Sequence, residues 1–228
     1  ARELSAGYLQ AVFLQMFGDP VENPMGWEIA KIGNLTGVKT GGTPSRNIPE
    51  FYAGTIPWVK TTEVVDSVIY KTSEKISEQG LKSSNCQLFP IDTIIVAMYG
   101  QGQTRGRTAK LGITATTNQA CAAILPSEKI DTDYLWLYLK LSYDRLRDLG
   151  RGGNQPNLNL SMVREFQIPL PPLPLQQRFA GVVRRFERLR AQQVEAERQA
   201  EALFQSLLAR AFASTHQRQG AESQRRKE

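Results

Sequence analysis

Four short polar tracts hold the side chains whose types and spacing could do chemistry, and that chemistry is recognition rather than bond-making. In "MYGQGQTRGRTAK", Tyr99, Gln101, Gln103, Thr104, Arg105, Arg107 and Lys110 are interleaved with glycines. Arginine bonds guanine bidentately, Gln and Asn do the same for adenine, and Lys and Arg grip phosphate. The loop "GRGGNQPNLNL" brings the same repertoire through Arg151, Asn154 and Gln155. "KTGGTPSR" supplies Lys39, Thr43, Ser45 and Arg46, and "WVKTTEV" supplies Lys60, Thr61 and Thr62. Each tract also has a plainer reading: a hairpin turn exposing its charges, a turn closing the helix before it, or the polar end of a strand. The Gly41-Gly42 pair is no phosphate loop, because the closing Lys-Ser/Thr is missing. Trp58 reads as core, and Asn118-Gln119 as the structural start of a buried strand.

Catalytic constellations are missing. The only histidine, His216, lies in a polar tail, which rules out a Ser–His–Asp triad and a histidine metal cluster. "LPPLPL" lacks both the polar residue before its prolines and the aromatic after them that a methyltransferase motif needs, and no paired acids with lysine mark a nuclease. No cofactor is expected. Cys86 and Cys121, far apart, read as reduced core thiols of a cytoplasmic protein. No apolar run approaches the roughly 20 residues that span a membrane.

Charge narrows the choice. The net charge of +6 is uneven: from 174 onward there are eleven Lys/Arg against six Asp/Glu, and before it seventeen against sixteen. Between Asp92 and Glu128 there is no carboxylate, while Arg105, Arg107 and Lys110 are present. An acid-free segment in a near-neutral domain suggests a positive face for phosphate, against the alternative of chance clustering on a solvated surface.

The elements that must position these tracts follow from periodicity. Residues 4–17 have helical spacing that stops at Gly18-Asp19-Pro20. Strand-like runs continue to about 130: "TIPWVKTTEV", "DSVIYKTSEKI", "DTIIVAMYG" and "ACAAILP". A helix is expected over "TDYLWLYLKLSYDRLRDL", capped by one of Asp131, Thr132 or Asp133 and closed by Gly150. "MVREFQIPLPPL" reads as a short helix or turn and then an edge strand. The fold class is α+β: a mixed α/β domain with substantial β-sheet, followed by a long coiled-coil helix. Residues 1–19 form an N-terminal helix that packs on the spacer helices, 20–173 the domain, 174–213 the spacer and 214–228 a disordered polar tail.

In the spacer, Phe179, Phe186, Gln193, Ala200 and Leu207 recur every seven residues, with Val182, Leu189, Ala196 and Leu203 three later. This is a coiled-coil seam, on a helix about 58 Å long over 175–213. Gln193 is the polar exception near its midpoint, where an antiparallel copy would place a second Gln193 and fix register. "YLQAVFLQMF" near the start matches "LFQSLLARAF" near the end, so that the chain looks like one period of a two-period protein. Plain intramolecular packing of the helix is the alternative.

The order of "GWEIAKIGNL", "KTGGTPSR", "IPWVKTTEV", "GLKSSNCQLFPIDTIIVAMYG", "TRGRTAKLGI", "TTNQACAAILP", "YLWLYL" and "GRGGNQPNLNLSMVREFQIPLPPLPLQQRFAGVV" resembles the specificity subunit of type I restriction–modification systems. The likeness is to one target-recognition domain with its helical spacer, from about 20 to 213. Gln176 stands where the family usually has Glu, which removes a capping-type contact at most. The resemblance implies a non-catalytic subunit that reads half of a bipartite double-stranded DNA target. It also implies docking of methyltransferase subunits, which use S-adenosylmethionine, and motor–nuclease subunits, which use ATP. The family usually carries two recognition domains and this sequence has one, so a homodimer through an antiparallel coiled coil, or half of a longer chain, is expected. The rival readings are the recognition segment of a fused restriction–methylation enzyme, and a coiled-coil scaffold that never touches DNA.

Overall fold

Apolar runs of no more than six residues, cut by Gly, Pro and polar turns, are too short for anything but a patchwork of small strands. The structure, a computed structural model, describes residues 2–100, 102–150 and 157–225, and the side chains of 7–208 among these. It divides into two compact units, 1–181 and 182–228.

In the first unit, β1 (Ile29–Lys31) pairs antiparallel with β10 (Gln167–Pro169). A five-stranded sheet has the order β2 (Val38–Thr40), β9 (Cys121–Ile124), β6 (Ile94–Ala97), β7 (Thr108–Leu111), β4 (Val68–Ile69). A three-stranded sheet has the order β5 (Glu74–Ile76), β3 (Ile56–Val59), β8 (Thr116–Thr117). Every residue of β6 and β9 is buried, so these strands are covered on both faces and lack two-residue alternation. Ile95, Ala97, Leu111 and Ala123 pack with Val59 and Phe89 in one apolar cluster. Trp58 is buried as expected, its indole N–H donating to the Gly42 carbonyl at 3.0 Å. Both cysteines are free thiols.

Helices α1 (Arg2–Phe17), α4 (Thr132–Leu141) and the first turns of α7 (Leu173–Arg225) meet through aromatic rings. Phe13 and Phe17 lie 5.5 and 4.7 Å from Tyr134, and 5.6 and 5.5 Å from Phe179. The Tyr134 hydroxyl donates to the Pro169 carbonyl at 2.8 Å, and burial pushes its pKa up. Asp131 caps α4 by accepting from the amides of Asp133 and Tyr134. Gln176 is fully buried; its Oε1 accepts from the Asp131 amide at 2.9 Å and its Nε2 donates to the Pro171 carbonyl at 2.7 Å. It is therefore a structural staple, not the dispensable capping contact expected from the sequence.

Three boundaries differ from the sequence reading. "DSVIYKTSEKI" is not one strand: β4 and β5 belong to different sheets, turned apart where Glu63 accepts from the Ser73 amide at 2.8 Å. The helix after Asp131 breaks at Ser142 (φ −94°, ψ 18°) into α4 and α5 (Tyr143–Asp148). Helical backbone continues to Arg225, because Gln, Arg, Ala and Glu of the tail are adequate helix formers and no proline intervenes. The short helix α6 (Leu160–Glu165) precedes β10, and α3 (Glu78–Lys82), capped by the Ser77 hydroxyl, had no clear sequence signal. Among the described residues no helix is long and apolar enough to cross a membrane, and no group of His, Cys, Asp and Glu could hold a metal ion.

Candidate nucleic-acid interface

Strand register gathers the polar tracts. Thr40 opposes Ala122, Ala97 opposes Cys121, and Val96 opposes Thr108. Thus β2 and β6 end where β9 and β7 begin. Parallel pairing brings the start of β4 to the same side through Val68 and Lys110, and ends β3 and β8 together at Val59 and Thr117. Cross-links join the loops that emerge there: Gly42 N to Thr117 O at 2.9 Å, Asn118 N to Val59 O at 3.0 Å, and Met98 N to Ala120 O at 2.9 Å. The segments 41–46, 60–67, 98–107 and 118–120 therefore share one end of the domain.

The Gly41-Gly42 pair is there for close approach. A Cβ on Gly41 would lie 1.9 Å from the Thr117 carbonyl oxygen, and one on Gly42 would lie 2.6 Å from the Cys86 amide. The tract is thereby pressed flat against β8 on one side and the turn after α3 on the other. Beyond it, Thr43 and Ser45 are exposed, and the Thr43 hydroxyl donates to Gln119 Oε1. Lys39 is exposed on the edge strand β2.

Arg46 lies 4.0 Å above the Tyr52 ring centre and pairs with Glu74 at 2.6 Å. Lys60 pairs with the other Glu74 oxygen at 2.6 Å. The Arg46 hydrogen bond, and then that from Lys60, hold the Glu74 carboxyl below the usual range. These two predicted contacts are thus partly committed within the domain. Thr61 is half-buried and Thr62 exposed, in a 3-10 turn that Glu63 closes by accepting from the Lys60 amide at 2.9 Å.

In the 98–107 loop, Tyr99 and Gln103 are exposed and Thr104 is half-buried. Gln103 accepts from Arg107 at 3.0 Å through its side chain, and from the Tyr143 hydroxyl at 2.8 Å through its carbonyl. Arg107 also lies 3.7 Å from Asp66. Arg105 is only 8% exposed, and its Nε has no hydrogen-bond partner among the described residues. Lys110 is different: it is 7% exposed, paired with Asp133 at 2.5 Å and set 5.2 Å from the Trp136 ring, on the face covered by α4. That burial takes Lys110 out of the proposed interface. Gln101, Arg151, Asn154 and Gln155 lie outside the described residues; the described chain resumes beside the loop, with Leu158 N donating to Met98 O at 3.0 Å.

Four further residues reach this end: three that the sequence reading did not single out, and Gln119, which it read as the structural start of a buried strand. Gln119 is exposed in the 118–120 turn, because the strand starts only at Cys121. Lys82 and Asn85 reach the same end from α3 and its following turn. Arg147 donates to the Tyr143 hydroxyl at 2.6 Å and joins the cations around the 98–107 loop. Only tertiary pairing brings these four together, and the acid-free run from 93 to 127 was the nearest sequence signal.

The predicted seam residues fall into two groups. Phe179 is fully buried in the first unit's aromatic cluster. In the second unit Val182 and Phe186 are half-buried, and Leu189, Gln193, Ala196, Ala200, Leu203 and Leu207 are exposed. Gln193 donates to Glu197 on its own helix at 3.0 Å.

Comparisons with known proteins show the family and the fold. The model of the type I restriction modification DNA specificity domain matches residues 24–201. The MjaIX type I specificity subunit of Methanocaldococcus jannaschii is 30% identical over 73% of this chain and 39% of its own length. The EcoR124I/EcoR124II specificity subunit of Escherichia coli is 27% identical over 74% and 42%. The chain thus spans about two-fifths of the curated relatives it matches. The crystal structure of the HsdS subunit from Thermoanaerobacter tengcongensis shares the fold, with a TM-score of 0.60 at 17% identity over 86% of this chain and 46% of that one. The type I S subunit from M. genitalium gives 0.57 at 16% identity, over 84% and 47%. Matched over most of its length, the chain belongs to the type I restriction–modification DNA specificity domain family.

Proposed function

We propose that the loop end of the first unit reads one half of a bipartite duplex DNA target. Methylation and cleavage are left to methyltransferase and motor–nuclease partners in the cytoplasm. Recognition is assigned to 20–173 and spacing to the helix that follows. Family membership supports the reading, and the convergence of three polar tracts with the 118–120 turn supports its location.

The observation that carries it is Arg105. Among the described residues this buried guanidinium has no carboxylate partner and nothing bonded to Nε, which is unfavourable by itself. A phosphate oxygen or the O6/N7 edge of guanine at the guanidinium's other N–H groups would offset that cost. The second unit's part of the seam, from half-buried Val182 to exposed Leu207, rises about 38 Å, a little over one duplex turn of about 34 Å. A second copy lying antiparallel on that seam would set two recognition domains on either side of an unread gap, and identical domains would read mirror-related halves.

The test is Arg105→Ala, measured for duplex affinity and thermal stability together. Loss of a DNA contact weakens binding by about 1–3 kcal/mol and leaves stability unchanged or raised, since an unpaired charge has been removed. Lower stability with unchanged affinity would make Arg105 structural and overturn this assignment.

A further inference from the structure

We infer that the cleft between Gly41–Thr43 and the turn after α3 holds a backbone phosphate of the duplex, a site that rests on the DNA-reading proposal above. The inference starts from which cations at the loop end are available. Arg46 and Lys60 share Glu74, each at 2.6 Å, and Arg107 lies near Asp66. Lys82 is exposed and makes no ion pair among the described residues. It lines an open cleft of about 610 Å³ whose lining contains no carboxylate.

The Ser83 and Ser84 hydroxyls in the lining donate to the Gly80 carbonyl, which leaves two carboxamides beside Lys82. The Thr43 hydroxyl donates to Gln119 Oε1, which leaves the Nε2 amide, with its two N–H groups, as the uncommitted end. The Asn85 carboxamide is likewise without a side-chain bond among the described residues. Gly41 and Gly42 line the cleft and are packed against Thr117 and Cys86. One ammonium and carboxamide N–H groups with no anion beside them match the acceptor oxygens of a phosphodiester. Carboxamides also suit adenine, but the lysine charge with no anion in the lining favours a phosphate. The cleft therefore acts mainly to position the duplex.

Anisotropy titrations of the full chain with a mixed-sequence duplex, at several salt concentrations, test the site. Lys82→Ala is expected to weaken binding several-fold and to lower the slope of log affinity against log salt by about one. Lys82→Arg restores both. Gln119→Glu, which sets a carboxylate in the cleft, weakens binding at least as much, and Lys129→Ala, at the opposite end of the sheet, leaves it unchanged. Inorganic phosphate added at constant ionic strength leaves wild-type binding intact. Inorganic phosphate binding that Lys82→Ala abolishes, with duplex affinity unchanged by the same substitution, would assign the cleft to the free ion and overturn the proposal. If the wild type binds duplex and Lys82→Ala matches it in affinity and slope, the phosphate site alone is wrong. If the wild type binds no duplex, the DNA-reading proposal fails first.

Discussion

Phe179 occupies a heptad position, yet its ring lies in the core of the first unit, and replacing it separates these two roles. Phe179→Ala removes a fully buried ring whose neighbours Phe13 and Phe17 are centred 5.6 and 5.5 Å away. Truncating such a ring costs about 3–5 kcal/mol. For a domain of this size each kcal/mol lowers Tm by about 2–4 °C, so the expected fall is about 6–20 °C. Leu203, 60% exposed in the second unit, serves as the contrast: at high dilution Leu203→Ala should change stability by no more than about 0.5 kcal/mol. Denaturant unfolding, followed by circular dichroism at several protein concentrations, reads both. The loss for Phe179→Ala should be the same at every concentration, whereas any effect of Leu203→Ala should grow with concentration as chains associate. A Phe179→Ala variant within about 1 kcal/mol of wild type at high dilution would refute the core assignment and return the ring to the seam.

Three further outcomes follow from the packing. Gln176→Leu removes the buried bonds to the Asp131 amide and the Pro171 carbonyl and should lower urea stability by about 1–3 kcal/mol; an unchanged midpoint would contradict the staple. Gly41→Ala drives a Cβ to 1.9 Å from the Thr117 carbonyl oxygen and should destabilise by about 1–3 kcal/mol, read as a lower melting temperature. Glu74 contributes stability above the carboxylate's unfolded-chain value, and that share is lost as pH falls through its depressed folded value. Glu74→Gln should therefore show a shallower loss of stability on acidification than wild type, and parallel acid limbs would show that the Arg46–Glu74–Lys60 clasp adds nothing.

Much of the fold was legible because its signals are local. Helical spacing marked α1, Asp131 marked the start of α4, and the uninterrupted apolar runs of 94–97 and 121–124 marked the central strands. Pairing was not legible. Nothing in "DSVIYKTSEKI" shows that its two halves join different sheets, because that depends on the partners Leu111 and Ile56 elsewhere in the chain. The candidate site divides in the same way. Its tracts could be named from residue type, but whether a lysine is free depends on what folds against it. Lys110 and Lys82 are chemically alike, yet Asp133 claims one and the other lines an acid-free cleft. The heptads could not show that the first turns of α7 are used by the domain core, since an apolar ring suits a seam and a core equally well.

Selection of bound sequences from a randomised duplex pool, with the full chain as bait, tests the central claim most directly. A loop end that reads bases should enrich a short motif, and Arg105→Ala with Arg107→Ala should abolish the enrichment while the chain stays folded. A pool that remains random after repeated rounds at low and moderate salt would contradict it.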